Sequence, residues 1–198
     1  MTVYTKTYDL GEINKKEVMR YAGSGENAAF PDEILDECIG KAKNALSCKV
    51  CYAVFDVKIC ENNLDFGAFS VKSKNLAKNL KNCEKAVIFA ATLGVGIDRL
   101  IAKYSAVSPS TALIFQALGA ERVEALCDAF CEDIKKEFGA ETRPRFSPGY
   151  GDFDIFCQKD IFAVLNCEKH IGLTLNDSML MSPSKSVTAV VGIKTKKI

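Results

Sequence analysis

Apolar and polar residues alternate over 3–9 (VYTKTYD), the two-residue rhythm of a short strand. Asn14 then stands where a side-chain cap starts a short helix through Tyr21. Residues 22–30 (AGSGENAAF) read as a loop. Pro31 opens a longer helix with Asp32 and Glu33 in its first turn, where the helix dipole favours acids. Ile34, Leu35, Cys38, Ile39 and Ala42 form its apolar stripe. Residues 49–59 (KVCYAVFDVKI) predict a strand, Asn62-Asn63 a turn into a second strand ending near Phe69, and Lys72–Leu80 a basic helix. The continuous apolar run KAVIFAATLG (85–94), closed by glycine, predicts a central strand covered on both faces.

Two helices follow in the pattern. GIDRLIAKY makes the first; the second starts at the Ser108-Pro109-Ser110 cap region and extends toward Phe138. Val123, Leu126, Cys127, Phe130 and Ile134 keep one of its faces apolar, and Glu121, Glu124, Asp128 and Glu132 lie on the others as a solvated acidic face. Gly119 is placed to interrupt it. After the segment TRPRFSPGYGDF come a helix across Gln158–Leu165, a short LTL strand and a last strand in SVTAVVGIK. Strands and helices mix without a clean βαβαβ alternation. The predicted class is α+β (mixed α/β), a twisted, largely antiparallel sheet packed with long helices.

Composition narrows this picture. The 198 residues suit one large domain, or one domain with a small N-terminal appendage. Hydrophobic residues make up 48% and charged residues 26%, enough to bury a full core. A net charge of +1 directs the protein to neither nucleic acid nor an anionic membrane. No apolar run approaches the roughly 18 residues of a membrane span. The opening MTVYTKTYDLGEINKK lacks the apolar stretch of a signal peptide, so the nine cysteines read as reduced cytoplasmic thiols.

Few residues offer chemistry. Cys48 and Cys51 have CxxC spacing, but a zinc site needs a second ligand pair, and a redox pair is activated at a helix N-terminus rather than on a strand. They read as structural, with a redox module as the minor alternative. Cys127 and Cys131 are neighbours on one helix and read as packing. Gly94 and Gly96 in TLGVGIDRL follow a strand and precede a helix, a place for a phosphate; the third glycine of a dinucleotide fingerprint is missing, and a plain turn explains them better. His170, the one histidine, has no nucleophile partner and reads as cap or surface. No paired carboxylates stand apart for acid–base catalysis.

RFSPGYGDF (145–153) is the informative stretch. Pro148-Gly149 suits the centre of a type II turn, since proline presets φ and glycine accepts the positive φ that follows. Such a turn offers backbone amides and carbonyls around Ser147, Pro148 and Gly149. Arg145 supplies a bidentate fork for a carboxylate, and Tyr150 a flat face with a hydroxyl. The set fits a small zwitterion joined to a nucleoside. It also fits a structural turn whose arginine rests on a neighbouring acid.

The same stretch resembles the activation (reactivation) domain of cobalamin-dependent methionine synthase. Arg145, Gly149 and Tyr150 match that family's Arg-x-x-x-Gly-Tyr. Glu168, Lys169, His170, Gly172 and Leu175 match its Glu-Lys-His-x-Gly-x-x-Leu, and Met181, Pro183, Ser186 and Val187 a Met-x-Pro…Ser-Val block. The match is firm over 141–190 and loose over 85–140; the first 80 residues look more like stand-alone proteins of anaerobic bacteria that carry this domain alone, so the resemblance implies an activation-domain-like core over 81–198 with an N-terminal α/β segment, 1–80, packed on it. The resemblance implies that S-adenosylmethionine binds at Arg145, Ser147, Pro148, Gly149 and Tyr150. It implies a component of methionine synthase activity, in which a flavodoxin or ferredoxin supplies an electron to cob(II)alamin and the ligand remethylates the cobalt. Such methyl transfer needs no proton transfer, in keeping with the missing acid–base groups. The family's acidic ligand contacts have no match by spacing among Glu121, Glu124 and Glu141, and Lys185 falls beside the ligand turn by analogy. No Asp-x-His-x-x-Gly segment is present, so cobalamin is expected on a partner, a methionine synthase or another corrinoid protein. The rival expectation is a docking subunit that has lost ligand binding.

Overall fold

The computed structural model describes residues 1–23 and 30–194; positions 24–29 of the expected 22–30 loop lie outside them. Strand β1 (Tyr4–Tyr8) leads to helix α1 (Lys15–Tyr21), which starts at Asn14 because its Oδ1 accepts from the Lys16 and Glu17 amides at 3.1 and 3.3 Å. Helix α2 (Asp32–Ala45) buries Leu35, Cys38 and Ala42, while Ile34 is 42% exposed, so the inward stripe is narrower than the apolar pattern. The strand expected over 49–59 divides. β2 (Cys48–Asp56) ends where the Val57 amide donates to Glu84 O, and the chain continues into β3 (Lys58–Cys60) of a separate sheet. The strand expected to end near Phe69 also divides, into β4 (Asn63–Asp65) and β5 (Ser70–Lys72), because positive-φ Gly67 closes a turn between Phe66 and Phe69. Lys72 thus belongs to a strand, and Ser73 caps helix α3 (Lys74–Asn79) by accepting from the Leu76 amide at 3.0 Å.

β6 (Cys83–Thr92) and α4 (Val95–Val107) precede the longest element, α5 (Pro109–Phe138). Its 30 residues span about 45 Å, with proline at the start and left-handed Gly139 at the end. Gly119 does not interrupt it. An added Cβ there would lie 2.8 Å from Cγ and Cε of Lys185, so the glycine is the gap through which that side chain crosses the helix. α6 (Cys157–Leu165) ends at Leu165 as expected, and Asn166 in the left-handed region separates it from a short helix outside the expected elements, α7 (Cys167–Ile171). A small hairpin, β7 (Thr174–Leu175) and β8 (Met181–Ser182), precedes β9 (Ser186–Lys194).

The main sheet has the order β1-β2-β6-β9, antiparallel throughout. Both faces of β6 are covered, as its unbroken apolar run predicts: Val87, Phe89 and Ala91 face a layer containing α2, α4 and α5, and Ala86, Ile88 and Ala90 face one containing α3, α6 and α7. Antiparallel pairing reaches this double burial because helices lie on both sides, a setting usual for parallel sheets. Residues 141–146 extend the sheet beyond β9: the Arg143 amide donates to Gly192 O at 2.8 Å, and Phe146 and Val190 exchange bonds at 2.9 Å. That annexed segment delivers Arg145 to its position.

The N-terminal arm is pinned to α5 by charge. Arg122 donates to Glu121 at 2.5 Å through Nε and to the Gly11 and Glu12 carbonyls at 2.9 and 3.1 Å, while Glu121 accepts from the Asn14 amide at 3.1 Å. Both residues are buried. The acidic residues of 121–132 therefore do not form one solvated face. Among the described residues no helix is long and apolar enough to cross a membrane.

Candidate functional site

The turn forms as its sequence dictates. Ser147 O accepts from the Tyr150 amide at 3.2 Å across Pro148-Gly149, and Gly149 has φ +94°, open only to glycine at low cost. The Gly149 amide donates inward to Phe153 O at 2.7 Å. Two of the amides expected to face a ligand are thus committed to the turn itself, and the Ser147 amide and the Pro148 and Gly149 carbonyls take no part in those bonds. Phe153 is buried and stacks near Phe146, their ring centroids 6.2 Å apart. Asp152 ties the turn to α3, accepting from Ser73 Oγ at 2.6 Å and from the Lys74 and Asn75 amides at 2.7 and 3.0 Å. The Ser73 hydroxyl, with those amides, holds the Asp152 carboxyl below the usual carboxylate range.

Arg145 projects toward α5, where its guanidinium meets Asp128 at 2.7 Å and also Glu124. Residues 124 and 128 are one helical turn apart, so their carboxylates share the face that looks at this loop. Arg145 thus rests on neighbouring acids, and a cleft of about 350 Å³ lies beside it. Glu124, Arg145, Ser147, Pro148 and Tyr150 line one part of the cleft. Gln158 of α6, Met181 of β8, and Ser186 and Thr188 of β9 line the rest. The Tyr150 ring is 68% exposed at this cleft, whereas Gln158 is only 5% exposed. The size is within the range of sites for small organic ligands. Cation, carboxylate, uncommitted carbonyls and an aromatic face give complementary partners for a zwitterion carrying a flat polar ring.

Four residues expected at the site, Arg145, Ser147, Pro148 and Tyr150, line the cleft, and Gly149 shapes the turn without lining it. Spacing left Glu124 without a role; its place comes from the i, i+4 relation to Asp128 together with the annexed segment. Glu121 is turned under the N-terminal arm, and Glu141 pairs with Lys194. Lys185 lies across Gly119 rather than on the cleft, and burial lowers its pKa.

The remaining candidates separate from the site. Cys48 faces the α5 side of β2 and Cys51 the opposite side, since residues three apart on a strand point to opposite faces. They cannot act as one dithiol. Cys51 Sγ instead lies 3.9 Å from Cys167 Sγ, and burial raises the Cys48 thiol to about 11. Gly94 and Gly96 are packing glycines: an added Cβ would fall 2.9 Å from Ser47 Cβ and 2.1 Å from Ala45 O, respectively. His170 occupies the last turn of α7. Among the described residues no group of three or more His, Cys, Asp or Glu side chains is arranged to hold a metal ion.

No curated protein matches the chain. Among solved structures, a crystal structure of the MetH reactivation domain bound to AdoHcy has a TM-score of 0.72 at 14% identity, covering 100% of this chain and 80% of that one. At that identity the likeness is one of fold. The family model "Vitamin B12 dependent methionine synthase, activation domain" matches residues 73–197, which contain β6, α5, the Arg145 turn and β9. On that match, over more than half its length, the chain belongs to the vitamin B12-dependent methionine synthase activation domain family.

Proposed function

We propose that the cleft binds S-adenosylmethionine, and that the protein supports reductive methylation of cob(II)alamin held by a cobalamin-dependent methionine synthase or a related corrinoid methyltransferase. A flavodoxin or ferredoxin would supply the electron. When bound, S-adenosylmethionine supplies a methyl group activated by its sulfonium centre, and the protein's part is to hold and orient it. The observation that carries the reading is Arg145 beside Glu124 at the wall of a ligand-sized cleft, within the residues that the family model matches. That the similar MetH reactivation domain is bound to AdoHcy supports the ligand class.

The arginine's ion pairs are compatible with this role. The Asp128 carboxylate is 74% exposed, and such surface pairs contribute about 0–1 kcal/mol. A ligand carboxylate can displace it from the guanidinium while the ligand ammonium turns to Glu124. Uncommitted main-chain groups at Ser147, Pro148 and Gly149 then hold the polar ends, and Tyr150 flanks the nucleoside. Cobalamin stays with the partner.

Calorimetric titration with S-adenosylmethionine tests this. Removing a charge-assisted fork by Arg145→Ala should weaken binding by about 10- to 100-fold, as expected for hydrogen bonds to a charged group. Glu124 and Asp128 remain hydrated, so the thermal midpoint should move by only a few degrees, roughly the effect of 1 kcal/mol. Unchanged affinity removes the site assignment. Absence of binding by the unaltered protein leaves the docking-subunit reading, which the paired state of Arg145 favours.

A further inference from the structure

Gln158 is in the first turn of α6, 5% exposed, and its Oε1 is buried with no hydrogen-bond partner among the described residues. Buried polar atoms are rarely left so, because an unmet acceptor forfeits the bonds it made to water in the unfolded chain. The same residue lines the cleft with Arg145 and Glu124. An acceptor kept unsatisfied at the wall of a ligand-sized cleft is positioned for a donor that the ligand brings.

We infer that Gln158 reads the base of the ligand by accepting a hydrogen bond from the exocyclic amine of adenine. This rests on the reading of the cleft as an S-adenosylmethionine site. The ligand has three kinds of donor. Its ammonium is drawn to the Glu124 carboxylate, since a charged acceptor binds a cation more strongly than a carboxamide does. Ribose hydroxyls donate and accept alike and select no acceptor in particular. The adenine edge instead presents an amine donor beside a ring-nitrogen acceptor, the mirror of a carboxamide's Oε1 and Nε2, so one Gln side chain satisfies both. Ser186, on the same cleft, is already committed: its Oγ bonds to Thr92 Oγ1 at 2.8 Å and Pro183 O at 2.7 Å. Among the cleft residues described, Gln158 is the one whose side-chain acceptor is buried without a partner, and its partner should be flat, neutral and able to shed water.

The test compares S-adenosylhomocysteine with its analogue bearing purine in place of adenine, in which hydrogen replaces the exocyclic amine. Calorimetry on the unaltered protein should show about 10- to 100-fold weaker binding of the analogue, the discrimination expected of a bidentate amide–adenine pair. In Gln158→Met, which keeps the volume, adenosyl affinity should fall to that of the analogue, so the discrimination disappears. The ligand-free thermal midpoint of this variant should hold or rise, because an unsatisfied acceptor has been removed. Equal binding of both compounds by the unaltered protein overturns the assignment. So does discrimination that survives in Gln158→Met together with a lowered midpoint, which marks a packing residue. If the unaltered protein binds neither compound, the reading of the cleft fails and this inference with it.

Discussion

Replacing Gly96 by alanine should destabilise this protein, although alanine is the better helix former. Gly96 is in the first turn of α4, and an added Cβ would lie 2.1 Å from the carbonyl oxygen of Ala45, 2.9 Å from its carbon and 3.0 Å from Ala45 Cβ. A carbon settles against a carbonyl oxygen at about 3.3–3.6 Å, so α2 and α4 must part by more than about 1 Å. No rotamer relieves the clash, since the atoms are main chain or attached directly to it. Overpacking costs about 1–3 kcal/mol, and rigid neighbours place this case at the upper end. Alanine's helix preference returns up to about 1 kcal/mol, leaving a net loss of about 2 kcal/mol. For a chain of this length the midpoint should fall by about 4–8 °C. Thermal unfolding followed by circular dichroism measures it, and urea unfolding should show a lower midpoint at unchanged slope. Gly40 is the control: it is inside α2 with nothing within 4 Å of an added Cβ, so Gly40→Ala should raise the midpoint. A Gly96→Ala midpoint equal to or above the parent's would refute the close-packing account of the Gly-x-Gly turn.

Removing Arg122 strands a buried carboxylate and two carbonyls, so Arg122→Leu should cost about 3–5 kcal/mol by urea unfolding; a loss below about 1 kcal/mol would contradict the pinning of the N-terminal arm. The Asp152 carboxyl is held below its ordinary range chiefly by Ser73, so its contribution is full above about pH 4 and is lost as pH falls through the lowered value. Asp152→Asn should therefore lower the thermal midpoint at pH 7 and lie closer to the parent at pH 3. A gap of the same size at both pH values would show that the charge is not what holds the turn to α3.

The elements with strong local signals were legible in the chain. Asn14 and Pro31 act within a few residues of themselves, and the apolar run of β6 reports burial on both faces whatever covers it. The type II turn at Pro148-Gly149 is equally local. Elements whose limits depend on distant partners were not: β2 stops where Val57 meets Glu84. Gly119 shows the same limit from the other side. Read along the chain it is placed to interrupt the helix, and only the passage of Lys185 across it explains why a glycine stands inside a continuous one.

The sequence by itself determined that this is a largely antiparallel sheet with long helices, and that Arg145, the Pro-Gly turn and Tyr150 come together in one short segment. Both follow from periodicity and backbone preference, which operate over a few residues. Only the tertiary structure decided that Glu124 faces Arg145, that Glu121 is buried under the N-terminal arm, and that Gln158 stands unsatisfied beside the cleft. The first and third depend on α5, α6 and the segment 141–146 meeting beside β9, and the second on residues 11–14 crossing α5. Such meetings are set by how helical and sheet layers cover each other, a cooperative result of burying the whole apolar surface that no short window of residues contains.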